Sequence, residues 1–580
     1  MKRLLKYMKG YRREAVVGPL FKWLEALFEL LVPLVVAYLI DSGIPSAATD
    51  GNALIWRSFG ILALLGAVGF TCSLIAQYFS AKAATGFAAK VRRAMFEHTG
   101  KLSYAGLDKT GSATITARLT GDLAQVQNGV NMFLRLFLRS PFVVFGAMVM
   151  AFTVDFRASL VFLLAIPLLF IAVAVIMRLT VPRYRDVQKK SDSLYHITGE
   201  NITGVRVIRA FGMEDEEKKR FFTEANSLTS LQLAANRVSA LMNPVTFVII
   251  NAAMIVLIYS GAVRVNTGNL TQGQVIALVN YMSQILVELI KLANLIITVT
   301  KAIAAGGRIA DFIDTAVESD ELKVDASLEG DDENAAVRFD NVSFTYPGAS
   351  SPSIEHISFT LRRGEVLGII GPTGSGKSTV AGLIPRFYDA GEGRVFVDGK
   401  DVRSIPLATL RDSVGIAEQR SRIFTGSVRD NLAFGRDIPD GDLMNALEIA
   451  QAREFVEKKG GLDFILSGGG KNLSGGQRQR INIARAMAKS PDVLILDDSS
   501  SALDYATDAA LRRSLAELDG MSVIVISQRV ASVRHADRIL VLDDGVTAGL
   551  GTFDELVESC PLFCEICRSQ GVIGGESREA

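Results

Sequence analysis

The sequence predicts an α-helical transmembrane bundle of six spans with long cytosolic extensions, followed by a soluble α/β domain. Three observations carry this. Six apolar runs of near-spanning length precede residue 305, an acidic polar stretch at 318–334 follows them, and the remainder mixes short β-type runs with helical stretches.

The chain of 580 residues is too long for one hydrophobic core, and its 49 % hydrophobic content exceeds a soluble average. Its 62 basic residues balance 61 acidic ones, so no global field supports a nucleic-acid partner. The 4 cysteines are too few for a disulfide scaffold. Cys560, Cys564 and Cys567 cluster in the C-terminal tail, as a metal site or as small apolar residues along one amphipathic helix over 556–568. No histidine lies near enough in sequence to complete a zinc set. The basic start (Lys2, Arg3, Lys6, Lys9, Arg12, Arg13) leads into a span without a small-residue cleavage site, and so reads as a cytosolic lead-in.

The apolar runs fall at 16–40, 59–81, 140–154, 160–179, 245–263 and 275–297. Each is near the roughly 20 residues that a helix needs to cross hydrocarbon. The third is short as drawn, and its start is expected nearer Met132, with Arg135 and Arg139 near the cytosolic side. Lysine and arginine resist translocation, so the links 41–52, 155–158 and 265–274, with Arg157 their single basic residue, are expected outside. The basic segments 82–135 and 183–237 then stay in the cytosol with both termini, as in a multi-pass protein of the cell membrane. Their helical patterning predicts stalks that continue past the bilayer and turn near 107–112 and 205–213.

Glu25 and Glu29 lie on the first span and Glu288 on the last, with Lys291 three residues later. Charge in hydrocarbon is costly, so these groups either line a translocation path or are locally satisfied. In the second case Glu288 and Lys291 pair at i and i+3, and Glu25 and Glu29 sit at an interfacial end.

In the soluble part, GPTGSGKST occupies 371–379 (Gly371, Pro372, Thr373, Gly374, Ser375, Gly376, Lys377, Ser378, Thr379), between a strand at 366–370 and a helix at 380–387. In that setting glycines let backbone N–H groups converge on a β-phosphate, Lys377 neutralises β and γ oxygens, and Ser378 offers a hydroxyl to Mg²⁺. A strand at 493–496 ends in Asp497 and Asp498, with Asp497 placed to hold Mg²⁺ through water. Between them lie Asn472, the stretch LSGGQ at 473–477 and a basic helix. Ser474, Gly475 and Gly476 at a helix start form a second anion site, suited to a γ-phosphate presented by another domain.

With the phosphate loop and LSGGQ together, the chain resembles, over essentially its full length, an ABC transporter half of the exporter type. The resemblance implies six spans fused to a P-loop nucleotide-binding domain of ABC type, with boundaries at 1–317, 318–334 and 335–580, and ATP and Mg²⁺ as cofactors. It implies that Tyr346 stacks on adenine, that Gln419 senses Mg²⁺ and reports to the stalks, and that residues 501–504 (SALD, ending at Asp504) cross a dimer seam. Ser474, Gly475, Gly476 and Gln477 would complete a partner's ATP site, and the turns near 107 and 205 would be coupling helices. Tyr346 also reads as an ordinary strand aromatic, and Gln419 as an ordinary loop amide.

Two positions depart from that family's pattern. Asp498 stands where the family has a catalytic Glu directly after the magnesium Asp, which withdraws the carboxylate by about 1.5 Å. Gln528 stands where the family has a switch His, and an amide can hydrogen-bond a γ-phosphate but can bring it neither a transferable proton nor a positive charge. His535 does not replace it, lying seven residues further on. The pair resembles the degenerate-site subunit of a heterodimeric bacterial multidrug or lipid exporter, whose partner half-transporter would do most of the hydrolysis. Cargo would be an amphipathic drug, lipid or peptide. Tolerated drift in an active enzyme, a slow homodimeric exporter and an ATP-gated, non-pumping membrane regulator are the other readings.

Overall fold

Apolar runs propagate into helices longer than a membrane requires, even where prolines lie inside them, as Pro19, Pro33, Pro167 and Pro182 do. The computed structural model describes residues 1–46, 52–315, 317–318, 334–499, 502–518 and 520–573. It divides into two units, Met1–Gly100 with Gly111–Thr315, and Lys101–Thr110 with Ala316–Ala580. The expected linker lies, apart from its end residues Glu318 and Asn334, outside the described residues.

Among the described residues, the first unit holds 6 helical segments long and apolar enough to cross a membrane: Arg12–Gly43, Ala53–Thr99, Ser112–Val154, Phe156–Thr203, Glu214–Asn266 and Gln272–Ile313. Their main helices are α1 (Arg12–Tyr38), α2 (Ala53–Thr99), α3 (Leu123–Leu136), α4 (Arg139–Val154), α5 (Phe156–Thr203), α6 (Glu214–Ala240), α7 (Met242–Asn266) and α8 (Gln272–Ile313). At 47 and 48 residues, α2 and α5 run about 70 Å. That is more than twice the roughly 30 Å of hydrocarbon, so both extend beyond a bilayer as stalks. The third segment starts well before Met132, which lies inside α3, and is interrupted just ahead of Arg139. The expected second turn is the short helix Val205–Ala210 between α5 and α6.

Polar residues fix the helix ends. Asp155 caps α5 by accepting from the Ala158 N–H at 2.7 Å and takes Arg264 Nη2 at 2.6 Å, which joins the start of α5 to the end of α7. Thr271 and Gln274 form a capping box that opens α8, and Asp41 accepts from the Gly273 N–H at 2.7 Å. Between them the bundle core holds Phe162, Leu257, Leu278, Tyr281 and Ile285.

In the second unit, β1 (Ala335–Phe344), β2 (Ile354–Arg362), β4 (Glu392–Val397) and β5 (Lys400–Asp401) form an antiparallel sheet in the order β2-β1-β4-β5. A six-stranded sheet combines β3 (Val366–Ile370), β6 (Val414–Ala417), β7 (Val493–Asp497), β8 (Ser522–Ile526), β9 (Arg538–Asp543) and β10 (Val546–Gly551) in the order β10-β9-β3-β8-β7-β6. Its pairings are parallel except β9–β10. Strands buried on both faces read as continuous apolar runs, as VLILD in β7 does.

The same unit takes in the short helix Tyr104–Thr110, whose Tyr104 ring stacks on Phe387 with centroids 4.2 Å apart. The tail departs from the expected single helix. Pro561 starts a new one, giving α12 (Phe553–Ser559) and α13 (Pro561–Ser569), with Cys560 between them. Cys560 and Cys567 are buried in an apolar cluster with Phe563 and Leu556.

Candidate nucleotide-binding site

The central strand β3 lies between β8 and β9, so the loop after it emerges at the carboxyl edge of the parallel sheet, where open α/β sheets bind ligands. Two glycines make the loop possible. A Cβ on Gly371 would lie 2.1 Å from the Leu542 carbonyl oxygen. Gly376 has φ +92°, and its Cβ would meet Ile354 at 2.5 Å. Helix α9 (Lys377–Leu383) starts directly after Gly376, three residues earlier than expected, because a left-handed residue precedes the first helical one.

Lys377 is 8 % exposed, and its Nζ donates to the Gly371 and Pro372 carbonyls at 2.9 and 2.6 Å and to Ser375 Oγ at 3.3 Å. Burial pushes this ammonium below its ordinary pKa, and Asp497 and Asp498 restore part of the loss. Ser378 Oγ lies 3.2 Å from Asp497 Oδ1, and burial raises the Asp497 carboxyl while that hydrogen bond opposes the rise. Gln419 Nε2 donates to Asp498 Oδ2 at 3.1 Å, so the loop amide and the shortened carboxylate hold each other. Asp498 has a left-handed φ of 45°, and its N–H bonds the Ile526 carbonyl at 2.9 Å.

These groups surround a cavity of about 450 Å³, lined among others by Tyr346, Thr373, Gly374, Gly376, Lys377, Ser378, Thr379, Gln419, Asp497, Asp498 and Gln528. Gly371, Pro372 and Ser375 shape the loop without lining that space. The Tyr346 hydroxyl is 3.3 Å from Thr379 Oγ1, and its ring meets Phe344 and Tyr388 edge-on. Sequence reasoning missed Ser351, Ser353, Asp544 and Gly545, which also line the cavity. The Asp544-Gly545 pair was readable as a hairpin turn, but its place at the pocket mouth comes from the pairing of β9 with β3.

The cavity fits a Mg-nucleotide. It offers a buried cation without a full counter-charge, and a hydroxyl–carboxylate pair of hard oxygens. Among the described residues no three His, Cys, Asp or Glu side chains converge as a metal site.

Ser474, Gly475, Gly476, Gln477 and Asp504 do not line this cavity. Ser474 caps α10 (Gly475–Met487) in a reciprocal box with Gln477, at 3.2 and 3.1 Å. Asp504 caps α11 (Tyr505–Ala516) through Thr507. Ser501 lies outside the described residues.

A second cluster sits in the helical unit. Glu288 is 2 % exposed and accepts from Arg139 Nη1, from Ser140 Oγ at 2.9 Å and from Lys291 at 2.8 Å. Arg139 Nη2 donates to Glu29 at 2.6 Å, and its Nε lies 4.0 Å from Glu25, which also binds Lys22. The expected Glu288–Lys291 pair therefore exists, inside a larger network that joins α1, α4 and α8.

The family pattern of the ABC transporter transmembrane region matches residues 16–289, and the ABC transporter pattern matches 354–501. An uncharacterised ABC transporter ATP-binding protein of Mycobacterium tuberculosis is 33 % identical over 99 % of both chains. The chain belongs to the ABC transporter family. It is an ATP-driven ABC exporter, a multi-pass membrane protein with its transmembrane region fused to its nucleotide-binding domain. Among other ABC transporters, an ATP-dependent lipid A-core flippase of Photobacterium profundum is 30 % identical, over 98 % of this chain and 97 % of that one. The solved structure of a bacterial Atm1-family ABC exporter with ATP bound superposes with a TM-score of 0.79 at 23 % identity, covering 98 % of this chain and 99 % of that one, a likeness of fold.

Proposed function

We propose that this ABC exporter chain holds ATP at its own phosphate loop more than it hydrolyses it, and works as one half of a heterodimer whose partner supplies the faster site. The observation that supports this is the pair Asp498 and Gln528 lining one cavity beside Lys377 and Asp497. Tyr346 would stack on the base, the loop N–H groups and Lys377 would grip the β- and γ-phosphates, and Ser378, Asp497 and Gln419 would hold Mg²⁺. That ion supplies charge neutralisation between the phosphate oxygens.

The base that should orient the attacking water is one methylene short and is engaged by Gln419. A misplacement of about 1 Å can cost on the order of a hundredfold. The amide of Gln528 can donate a hydrogen bond to a γ-phosphate without bringing positive charge. Ser474, Gly475, Gly476 and Gln477, intact at the start of α10, would close on the partner's ATP, with Asp504 at the seam. Both termini and the nucleotide domain would face the cytoplasm of a cell whose plasma membrane carries the spans. Cargo would be amphipathic, and the similarity to lipid A-core flippases favours a lipid.

The test is to purify the chain alone and with whatever co-purifies in equal amount. A stable homodimer with rapid, transport-coupled ATPase would overturn the reading. In a homodimer forced at high concentration, Asp498→Glu with Gln528→His should raise turnover by about a hundredfold. An unchanged rate would show that these two positions do not limit hydrolysis.

A further inference from the structure

The loop carrying Gln528 is held by a residue 42 positions further along the chain. Strand β8 ends at Ile526 and the short helix Val530–Val533 follows, so Ser527, Gln528 and Arg529 form the connecting loop. Two of its N–H groups are satisfied elsewhere: the Ser527 N–H bonds the Ile369 carbonyl of β3 at 3.1 Å, and the Arg529 N–H bonds Ser527 Oγ at 3.0 Å. The Gln528 carbonyl and the Val530 N–H, which flank Arg529, are both taken by one side chain. Gln570 Nε2 donates to the Gln528 oxygen at 2.8 Å, and the Val530 N–H donates to Gln570 Oε1 at 2.8 Å. A primary amide suits this because it presents a donor and an acceptor side by side on one rigid plane.

Gln570 is itself well anchored. It follows α13, whose Phe563 and Cys567 are buried in a cluster with Val530, Val533, Ile539 and Val541. Gly571 then turns left-handed at φ +66°, and the Val572 N–H closes the helix end on the Cys567 carbonyl at 3.0 Å. The amide thus extends from a fixed helix terminus onto a three-residue loop beside the nucleotide cavity, which Ile526, Ser527 and Gln528 line.

We infer that Gln570 is a positioning residue for position 528. By holding the main chain on both sides of Arg529 it sets the direction in which the side chain at 528 enters the cavity. Its catalytic consequence rests on the reading above that position 528 faces the γ-phosphate, whereas the clamp itself does not.

Two measurements on the full-length chain keep the parts separate. Hydrogen exchange of the peptide covering 527–533 reads the clamp. Gln570→Ala should speed exchange there by about tenfold, because the Val530 N–H loses its acceptor and the Gln528 carbonyl its donor. Gln570→Glu keeps the acceptor used by Val530 but faces the Gln528 carbonyl with a carboxylate, and should give an intermediate rate. Unchanged exchange in Gln570→Ala overturns the inference whatever the ATPase does.

Steady-state ATPase reads the consequence. In the Asp498→Glu/Gln528→His background, Gln570→Ala should lower kcat by about tenfold with KM unchanged. In a Gln528→Ala background the same substitution should have no further effect, since nothing remains to be positioned. Equal fractional losses in both backgrounds would mark a general structural role and overturn the positioning claim. Absence of any gain from Asp498→Glu/Gln528→His would count against the functional reading instead, and the exchange experiment would then decide the clamp alone.

Discussion

Arg139 and Lys377 are both buried cations, 6 % and 8 % exposed, and the chain treats them in opposite ways. Arg139 meets the carboxylates of Glu288 and Glu29 directly, with Glu25 just beyond, so its charge is answered from within the bundle. Lys377 bonds only to carbonyls and a hydroxyl of its own loop, with Asp497 and Asp498 acting from a distance. The first arrangement is closed and serves the packing of helices. The second leaves a cation under-compensated in a cavity, where a polyphosphate would complete it. Whether a buried charge serves stability or binding turns on where its counter-charge comes from.

The sharpest way to break this contrast is to remove each cation and read both stability and binding. Arg139→Met leaves Glu288 and Glu29 without their guanidinium and should destabilise the bundle by about 3–5 kcal/mol, the usual cost of stranding one member of a buried pair. Adding Glu288→Met should recover most of that loss, because it removes the enclosed carboxylate, whereas the Glu29 side chain is 40 % exposed. Thermal unfolding in detergent checks both. An Arg139→Met chain that melts like the parent would mean the cluster is not closed.

The matching change in the pocket should act on binding. Lys377→Met removes two charge-assisted contacts to phosphate, worth together about 3 kcal/mol or roughly a hundredfold in ATP affinity. The unfolding temperature without nucleotide should stay within a degree or two, since the deleted ammonium was desolvated and only partly compensated. Equilibrium binding of a fluorescent ATP analogue and an unfolding scan of the same sample separate the two effects. A large fall in stability with little loss of affinity would place Lys377 with Arg139.

The two regions also differ in how far the sequence revealed them. The phosphate motif is nine contiguous residues leading from a strand into a helix, and each span is one long apolar run, so local pattern sufficed. The Arg139 network joins residues 110 and 149 apart, and the sequence reading paired Glu288 only with Lys291, the neighbour that helical spacing brings near. The Gln570 clamp and the Tyr104–Phe387 stack were hidden for the same reason. Helix ends were misread where one backbone conformation decides them. Gly376 in the left-handed region starts α9 at Lys377, and Pro561 divides a tail that apolar spacing alone joins into one helix. Of the site residues, those sharing the cavity were nameable from motifs, whereas Asp544 and Gly545 needed the strand order.

A half-buried cation tests the rule with a smaller signal. Lys489 Nζ bonds the Arg411 carbonyl and, at 2.8 Å, the Val414 carbonyl. Burial pushes its pKa down to about 8, with Arg436 adding repulsion and Asp412 opposing it. Because the folded value lies below the unfolded one of about 10.4, the unfolded chain binds more protons between those two pH values. Stability should therefore rise with pH across that window and be independent of this group below about pH 8. Lys489→Met should flatten the rise, read as unfolding temperature at intervals from pH 7.5 to 9.5, roughly the range in which the folded lysine titrates. It should leave ATP affinity alone, because Lys489 does not line the nucleotide cavity. A rise of the same slope in parent and variant would show that the two carbonyls compensate the ammonium as fully as carboxylates do, and would remove donor type from the rule that separates Arg139 from Lys377.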